Sequence, residues 1–380
     1  MLGFKNVKAY IEGKGVITTD IAVENGLISR TKKSKITKTF PYTEGQIVVP
    51  GFIDKHIHGA NGSDTMDAKI ENLSVTANAI TKEGTTAFLA TTMTQDKSLI
   101  ISSLSALKEY IEKESTGATL LGAHLEGPFI SKKHIGAQPE EYISVPSVEL
   151  FDEFLSASGN NIKTVTLSPE TDGATELIKY LKEKGIVISA GHTDASYDEI
   201  EKATKDGLTS ITHTFNAQKG IHHRDIGTAG AGLLLDELYA EIICDLIHLS
   251  APAIKLVLKC KPKDKIILIT DSMRAKYLPE GESELGGQKV IVSGNSARLE
   301  NGALAGSILK MNDAIRNLVC VLGVPFTTAI DFATINPAKN LGIDSEMGSI
   351  AVGKRANFTV LDKDFNVCTV IVDGKVVYKA

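Results

Sequence analysis

Residues 52–58 have the sequence FIDKHIH, a short apolar segment that ends in two histidines. Similar apolar segments recur through the middle of the chain, and stretches with helical periodicity separate most of them. They span residues 52–57, 86–90, 120–125, 164–167, 186–190, 210–212, 241–244 and 266–269. Eight strands that alternate with helices, in a segment near the ~250 residues typical of the fold, predict an α/β protein with a (β/α)8 TIM-type barrel. A doubly wound open sheet is the alternative, because alternation alone does not establish closure.

The two ends of the chain have a different pattern. Residues 4–30 and 356–379 contain short alternating runs broken by glycines, and Asp373-Gly374 is typical of a hairpin turn. Because neither end is large enough for a core of its own, we expect both to form one small discontinuous β-sandwich. The predicted domains are residues 1–49 and 342–380 for the β-sandwich and residues 50–341 for the barrel. A glycine-rich, hairpin-like insert is expected over residues 285–302.

The composition of the 380 residues excludes several classes of protein. Hydrophobic residues make up 42% and charged residues 23%, which is typical of a globular protein and not of a disordered one. A net charge of −5 argues against nucleic-acid binding, which needs clustered Lys and Arg. Without a signal-peptide core or a run of about 18 apolar residues, no membrane span is expected. The four cysteines form no C-x-x-C pair, so we expect reduced thiols in a cytoplasmic protein.

Six titratable side chains stand at the carboxyl ends of predicted strands. They are His56, His58, Glu126, His192, His213 and Asp271. Each of them alone is better explained by a hydrogen-bonded core histidine, a salt-bridged glutamate or an aspartate that caps a helix. Because the carboxyl ends of all barrel strands meet at one rim, however, the six side chains can converge on a single site.

This combination of imidazoles and carboxylates favours a divalent transition metal. Such ligands suit Zn, Fe, Mn or Ni, whereas Mg and Ca prefer shells made of oxygen alone. Six ligands are more than one ion needs if one position stays open for a substrate. The sequence therefore predicts one or two ions per subunit, with Glu126 as the bridge where there are two.

Longer motifs around these residues resemble the amidohydrolase superfamily and, within it, the N-acetylglucosamine-6-phosphate deacetylases. The resemblance extends over nearly the whole chain. Its motifs are Pro50-Gly51-Phe52-Ile53-Asp54 before the H-x-H pair, His124-Leu125-Glu126-Gly127-Pro128-Phe129, Gly191-His192-Thr193, Thr212-His213, Phe215-Asn216-Ala217, Thr270-Asp271, Leu304-Ala305-Gly306-Ser307 and residues 348–357.

The resemblance implies hydrolysis of the acetamide of N-acetylglucosamine-6-phosphate, which gives glucosamine-6-phosphate and acetate. Glu126, His192 and His213 match the metal ligands shared across the family. The H-x-H pair, with Asp271, matches a second metal position that some members have and others have lost. Asp271 is also the expected catalytic residue, which accepts a proton from water and delivers it to the leaving amine.

The resemblance also assigns residues to a phosphorylated, N-acetylated amino sugar. The matching substrate contacts are Ala137, Gln138, Asn216, Ala217, Arg224, His248, Leu304, Ala305, Gly306 and Ser307. Arg224 and His248 match contacts to the sugar and its phosphate, and in relatives this arginine reaches across a dimer interface. A homodimer in which each subunit contributes an arginine to the other is therefore expected.

Three departures from the family pattern flank the loops that are expected to bind the sugar phosphate. Gln218 stands where the family usually has methionine, Ile226 where it has proline, and Leu246 where it has glycine. They leave an epimer such as N-acetylgalactosamine-6-phosphate open as the substrate. Other amidohydrolases bridge their metals with a carboxylated lysine, where this chain has Glu126. A non-catalytic assembly protein with the amidohydrolase fold is a further alternative, but such a protein is expected to lose metal ligands.

Overall fold

The computed structural model describes residues 1–30, 35–113 and 116–380. Residues 31–34, which belong to the first predicted part of the β-sandwich, and residues 114–115 lie outside the described residues. The strands, numbered in chain order, are β1 (Leu2–Ile11), β2 (Gly15–Glu24), β3 (Leu27–Ser29), β4 (Lys38–Thr39), β5 (Ile47–Pro50), β6 (Phe52–Ile57), β7 (Gly59–Ala60), β8 (Ser63–Asp64), β9 (Thr85–Thr92), β10 (Thr119–Glu126), β11 (Ile162–Leu167), β12 (Val187–Ala190), β13 (Ser210–Ile211), β14 (Tyr239–Ile243), β15 (Ile266–Ile269), β16 (Gly281–Leu285), β17 (Gln288–Ser293), β18 (Ser296–Leu299), β19 (Phe358–Leu361), β20 (Val367–Val372) and β21 (Lys375–Lys379).

The helices are α1 (Ile70–Ala79), α2 (Lys97–Ile111), α3 (Val148–Ala157), α4 (Ala174–Glu183), α5 (Tyr197–Asp206), α6 (Gly227–Leu234), α7 (Ala251–Cys260), α8 (Met311–Arg316), α9 (Phe326–Ala333) and α10 (Ile335–Asn340). Short 3₁₀ helices span Thr65–Asp67, Ile80–Glu83, Lys132–His134, Glu140–Tyr142 and Lys263–Lys265, and a π-helical segment spans Asn317–Val321. None of the described helices has both the length and the apolar character that crossing a membrane requires.

Eight parallel strands form a barrel in the order β6-β9-β10-β11-β12-β13-β14-β15, and each overlaps one of the predicted segments. The residues of β15 are fully buried, as expected for a parallel strand that is covered on both faces. The first and last strands meet where the N–H of Asp271 donates to the carbonyl of His56 at 2.9 Å. The N–H of His58 likewise donates to the carbonyl of Ser272 at 2.9 Å. These bonds close the sheet, so the predicted barrel is confirmed and the open-sheet alternative is wrong.

The helices cover the outside of the barrel with their apolar faces. In α2, Asp96 is the N-cap, and its carboxylate accepts the N–H of Ser98 at 2.9 Å. The helix buries Ile100, Leu104 and Leu107, whose spacing of four and three residues places them on one face. Local capping and apolar periodicity therefore agree with the packing of this helix on the barrel.

Both ends of the chain contribute to one sheet, in the order β21-β20-β19-β5-β1-β2-β3 with β4 beside β1. β5 joins the two ends, because it pairs in parallel with β1 and antiparallel with β19. Phe358 packs against Phe4 and Phe40 with ring centroids 5.6 and 6.3 Å apart. The unit built from both chain ends is therefore confirmed, while the division into residues 1–49, 50–341 and 342–380 stays a prediction.

An antiparallel three-stranded insert, β16-β17-β18, follows the last barrel strand. It begins at Gly281, earlier than the predicted hairpin, because β16 pairs with β17 along its whole length. The side chain of Gln288 donates to the carbonyl of Ala137 at 2.7 Å, and that of Gln95 donates to the carbonyl of Gly286 at 3.2 Å. These bonds hold the insert against the loops that follow two barrel strands.

We expect Phe358→Ala to destabilise the protein, because its fully buried ring joins the two ends of the chain. Removal of a buried phenylalanine side chain costs about 3–5 kcal/mol, and differential scanning calorimetry should show a lower thermal midpoint. Val352→Ala is the control, since that side chain is 57% exposed and its loss should leave the midpoint unchanged. An equal midpoint for both variants would contradict the packing of the chain ends around this ring.

Candidate metal centre

The structure brings all six predicted metal ligands to the carboxyl rim of the barrel. They are His56 and His58 at the end of β6, Glu126 at the end of β10, and His192, His213 and Asp271 just beyond β12, β13 and β15. The last three have φ values of 47°, 32° and 49°. Residues other than glycine rarely adopt this left-handed conformation, so the surrounding structure must hold it. The strained turns at three strand ends are thus part of what gathers the ligands.

Glu126, His192 and His213 form a compact group. The Nε2 atoms of the two histidines lie 3.3 and 3.1 Å from Oε1 of Glu126 and 3.2 Å from each other. Their Nδ1 atoms face the carbonyls of His134 at 2.9 Å and Asn216 at 3.1 Å, so each Nδ1 carries the proton. The Nε2 lone pairs therefore point at each other and at a carboxylate, an arrangement that a divalent cation between them satisfies.

His56, His58 and Asp271 form a second group beside the first. Oδ1 of Asp271 lies 3.4 Å from Nε2 of His56 and 3.2 Å from Nε2 of His58. Glu126 lies between the groups, with Oε1 3.4 Å from Nε2 of His56 and Oε2 3.4 Å from Nε2 of His58. Nε2 of His56 is buried and has no hydrogen-bond partner in the described part of the chain. Such an atom is costly unless an ion binds it, so both groups fit a divalent metal with a shared carboxylate.

The electrostatics of the rim also favour a cation. Burial raises the pKa of the Asp271 carboxyl, but the neighbouring His56 and His58 outweigh burial and hold that pKa at about 2. Burial likewise raises the pKa of Glu126, and the surrounding imidazoles, His56 first among them, lower it well below its usual range. Both carboxylates are therefore ionised at neutral pH. Two buried negative charges with shared neighbours are stabilised by a divalent cation.

Gln138 orients the shared carboxylate. Its Nε2 donates to Oε2 of Glu126 at 2.9 Å, and its Oε1 accepts the N–H of Thr94 at 2.7 Å. The family resemblance assigns Gln138 to the substrate, and the structure adds this contact with the metal centre. No sequence signal indicates the contact, because only the fold of the loop after β10 brings the two side chains together.

The candidate metal ligands open into a cavity of about 290 Å³. The predicted substrate contacts that line it are Ala137, Gln138, Asn216, Ala217, His248, Leu304 and Gly306. Arg224 does not line it, since its side chain is exposed and Nη1 lies 2.7 Å from Nε2 of His223. Ala305 is fully buried, and Ser307 donates its Oγ to the carbonyl of Thr270 at 2.5 Å. The cavity of a single subunit therefore contains most of the predicted substrate contacts but not these three residues.

Four residues that the sequence analysis does not indicate also line the cavity: Met93, Gly136, Leu285 and Ala303. Met93 directly follows β9, so its place at the carboxyl end of a barrel strand is a signal that could have identified it. Gly136 and Ala303 are adjacent in sequence to predicted contacts. Leu285 comes from the three-stranded insert, whose packing against the rim has no signature in the sequence.

The three departures from the family pattern are compatible with ordered loops. Leu246 has a φ of 66°, in the left-handed region that favours glycine, within the turn where Oδ2 of Asp245 lies 2.6 Å from Nδ1 of His248. Ile226 has a φ of −79°, close to the value that proline imposes. The side-chain amide of Gln218 donates to three nearby backbone carbonyls at 3.3 to 3.4 Å. The loops thus keep defined conformations around the changed side chains.

A larger cavity of about 530 Å³ lies near the amino ends of the barrel strands. It is lined by the end of α2, the start of β10 and the strands β20 and β21, and it includes Arg355 and Lys375. Neither group of metal ligands belongs to it. Active sites of such barrels lie at the carboxyl face, so the rim cavity is the candidate site.

Fold and site together define a class of protein: barrel hydrolases that hold a divalent metal between imidazoles and carboxylates at the carboxyl rim. The model of the amidohydrolase family matches residues 47–377, and the chain belongs to that family. Its cofactor is a divalent metal, and the two groups of ligands at the rim are its candidate positions.

Relatives that are 32–40% identical to the chain over most of its length are deacetylases of amino sugar phosphates. An N-acetylglucosamine-6-phosphate deacetylase from Bacillus subtilis is 40% identical over 98% of this chain and 96% of the relative. An N-acetylgalactosamine-6-phosphate deacetylase from Escherichia coli O157:H7 is 32% identical over 93% of each protein. The crystal structure of an N-acetylglucosamine-6-phosphate deacetylase from Thermotoga maritima matches 100% of both chains with a TM-score of 0.90 and 38% identity. The family resemblance found in the sequence is therefore confirmed.

We expect Gln138→Leu to weaken metal binding by about 10–100-fold, because loss of a partner that orients a ligand typically has this effect. Titration of metal-free protein with Zn²⁺ against a chromophoric chelator measures the change. Gln95→Leu is the control and should keep the wild-type affinity, because it removes a bond to the insert and one to the N–H of Asp96 but contacts no candidate ligand. Wild-type affinity in Gln138→Leu would contradict the orienting role of this amide.

Proposed function

We propose that the protein is a metal-dependent deacetylase, which hydrolyses the acetamide of N-acetylglucosamine-6-phosphate to glucosamine-6-phosphate and acetate. The observation that carries the proposal is the carboxylate of Glu126 between two groups of imidazoles, in a chain similar end to end to deacetylases of that substrate. Amide hydrolysis needs a polarised carbonyl, a deprotonated water and a protonated leaving nitrogen. The residues at the rim can meet each of these needs.

The proposed centre holds one or two divalent cations, of Zn, Fe, Mn or Ni. Glu126, His192 and His213 would hold one ion, and the H-x-H pair with Asp271 and Glu126 would hold the second. When bound, such a cation polarises the amide carbonyl and lowers the pKa of water. All four metals accept these ligands, so availability decides which of them is used.

Asp271 is the proposed proton carrier. Although burial raises the pKa of its carboxyl, His56 and His58 hold that pKa at about 2, so the group is an ionised acceptor at neutral pH. Its N–H donates to the carbonyl of His56, which fixes the main chain, and its side chain lines the cavity. The carboxylate accepts a proton from a water molecule as the oxygen of that water adds to the carbonyl carbon of the acetamide, and it then delivers the proton to the amide nitrogen. The C–N bond then breaks with a neutral amine as the leaving group.

The sugar is assigned to the cavity beside the metal centre. The proposed contacts are Ala137, Gln138, Asn216, Ala217, Leu304 and Gly306, with His248 at the phosphate. The imidazole of His248 is held by Asp245, whose Oδ2 lies 2.6 Å from Nδ1. The other ring nitrogen is therefore available to the substrate.

The protein is proposed to be a homodimer in which Arg224 of each subunit reaches the cavity of the other. Supporting this, Arg224 is exposed and lies outside the cavity of its own subunit. It stands on a tight turn in which His222 and Asp225 exchange backbone hydrogen bonds at 3.0 Å. A guanidinium binds phosphate through two parallel N–H bonds, so an arginine delivered by the partner suits a doubly charged substrate.

A cytoplasmic location is proposed from the chemistry of the cysteines. Cys244, Cys260, Cys320 and Cys368 are all free thiols, and Cys260 and Cys320 are exposed. Exposed thiols persist in the reducing cytoplasm, whereas proteins of oxidising compartments pair them as disulfides.

The second candidate is deacetylation of N-acetylgalactosamine-6-phosphate. It is favoured by the departures at Gln218, Ile226 and Leu246, which flank the loops assigned to the sugar phosphate. Acetate release from a panel of phosphorylated acetamido sugars distinguishes the candidates, and we expect the highest kcat/KM for the gluco epimer. A preference for the galacto epimer would reassign the sugar, and no acetate from any sugar by metal-loaded protein would favour a non-catalytic assembly protein.

We expect Asp271→Asn to lower kcat by about 10²–10⁴-fold, the range that a positioned acid or base contributes. The amide cannot accept and return the proton, but its oxygen can still act as a ligand. Metal content, measured by inductively coupled plasma mass spectrometry, should therefore stay at the wild-type level. Near-normal turnover in Asp271→Asn would show that another group moves the proton.

We expect Arg224→Ala to raise KM for phosphorylated sugars by roughly 10–100-fold, as loss of a hydrogen bond to a charged group does. KM for the unphosphorylated sugars should change far less, because they lack the group that the guanidinium binds. Arg316→Ala is the control, since that surface arginine pairs with Asp313 at 2.9 Å. An equal loss for both classes of sugar would remove the phosphate role.

A further inference from the structure

The four imidazoles at the rim differ in what holds their Nδ1 atoms. His192 and His213 donate Nδ1–H to backbone carbonyls at 2.9 and 3.1 Å. Nδ1 of His56, by contrast, is buried and has no hydrogen-bond partner among the described residues. It faces Oε2 of Glu241 at 3.7 Å, and that oxygen is also buried and without a hydrogen-bond partner there. A small rotation of the ring would bring these complementary atoms into hydrogen-bond contact.

Glu241 is itself held firmly from its other side. It lies on β14 with its side chain fully buried, and its Oε1 forms an ion pair with Nζ of Lys55 at 2.7 Å. Lys55 also donates to Oδ1 of Asn340 at 2.5 Å, and Nδ2 of Asn340 donates to Oγ of Ser210 at 3.0 Å. Because a lysine can only donate, Lys55 fixes Oε1 in place and leaves Oε2 for His56.

We infer that Glu241 is a positioning residue, which accepts Nδ1–H of His56 and so keeps Nε2 of that ring unprotonated for a cation. Nε2 of His56 lies 3.4 Å from Oε1 of Glu126 and 3.4 Å from Oδ1 of Asp271, within the second group of ligands. A carboxylate behind a ligating histidine fixes its tautomer and raises its basicity. The inference rests on the proposed metal centre. It adds that Glu241 determines how tightly the second position of that centre binds a cation.

Glu241→Gln tests this role, because Lys55 dictates how the new amide must lie. The amide oxygen has to face Lys55, so its NH₂ faces Nδ1 of His56 and forces that nitrogen to act as an acceptor. The proton then sits on Nε2, and the ring no longer binds a cation. Titration of metal-free protein with Zn²⁺ against a chromophoric chelator should show one tight site kept and the other weakened about 10–100-fold.

Removal of the lysine should rescue the variant. In Lys55→Met/Glu241→Gln the amide is free to turn its oxygen towards His56, and no buried charge is left without a partner. We expect its second Zn²⁺ site to recover to the affinity of Lys55→Met alone. Lys55→Met/Glu241→Met, which offers no acceptor, should lose that site. A purely structural role for Glu241 predicts no such difference between two neutral double variants.

Glu241→Gln leaves Lys55 without its partner. If this variant does not fold, the two double variants are sufficient to test the inference. Equal affinities of the two double variants for the second Zn²⁺ would overturn the inference, as would an unchanged titration of folded Glu241→Gln. Wild-type protein supplies the separate check on the metal centre. If wild-type protein binds no Zn²⁺ at the rim, the proposed metal centre is wrong. If it binds two Zn²⁺ ions and no Glu241 variant changes either affinity, only the positioning role of Glu241 is wrong.

Discussion

The carboxylate of Glu126 lies within 3.4 Å of four imidazole nitrogens, and this contact organises the rest of the site. An ionised carboxylate in a protein interior is costly unless charges and donors surround it. Here the surrounding groups come from the ends of different barrel strands, with Gln138 as a further donor at 2.9 Å. The imidazoles present nitrogen lone pairs as well as N–H protons to this carboxylate. A bound cation therefore satisfies the lone pairs and the carboxylate together better than additional protons do.

Closure of the barrel sets the geometry of this cluster. The N–H of Asp271 donates to the carbonyl of His56, so the two ends of the sheet are joined within the candidate metal centre itself. Directly below, Thr270 donates its hydroxyl to Oδ2 of Asp54 at 2.5 Å. The left-handed residues at the ends of three strands then turn ligands towards the centre. The stability of the barrel and the placement of the ligands therefore depend on the same bonds.

The fold and the ligand cluster follow from the sequence because their signals are periodic. Parallel strands of a barrel all end at one rim, so His192 and Glu126 can be placed together without any knowledge of loops. The environment of His56 could not be predicted in this way. Alternation along a strand puts Lys55 and His56 on opposite faces, yet both approach Glu241, and the register of β6 is irregular between Asp54 and Ile57. Likewise, the contact of Gln138 with Glu126 depends on the path of a loop, and loop residues have no periodic pattern from which that path could be predicted.

The candidate metal ligands and the proposed substrate contacts come from different parts of the chain. The candidate metal ligands stand on or just after strands whose positions the barrel fixes, whereas the residues proposed to contact the sugar phosphate lie in loops. The departures at Gln218, Ile226 and Leu246 all fall in those loops. Leu246 has a φ of 66° despite its side chain, and Gln218 donates to three backbone carbonyls, so the loops keep defined conformations around these side chains. These departures therefore leave undisturbed the carboxylate and imidazoles that an amide hydrolase of this fold requires.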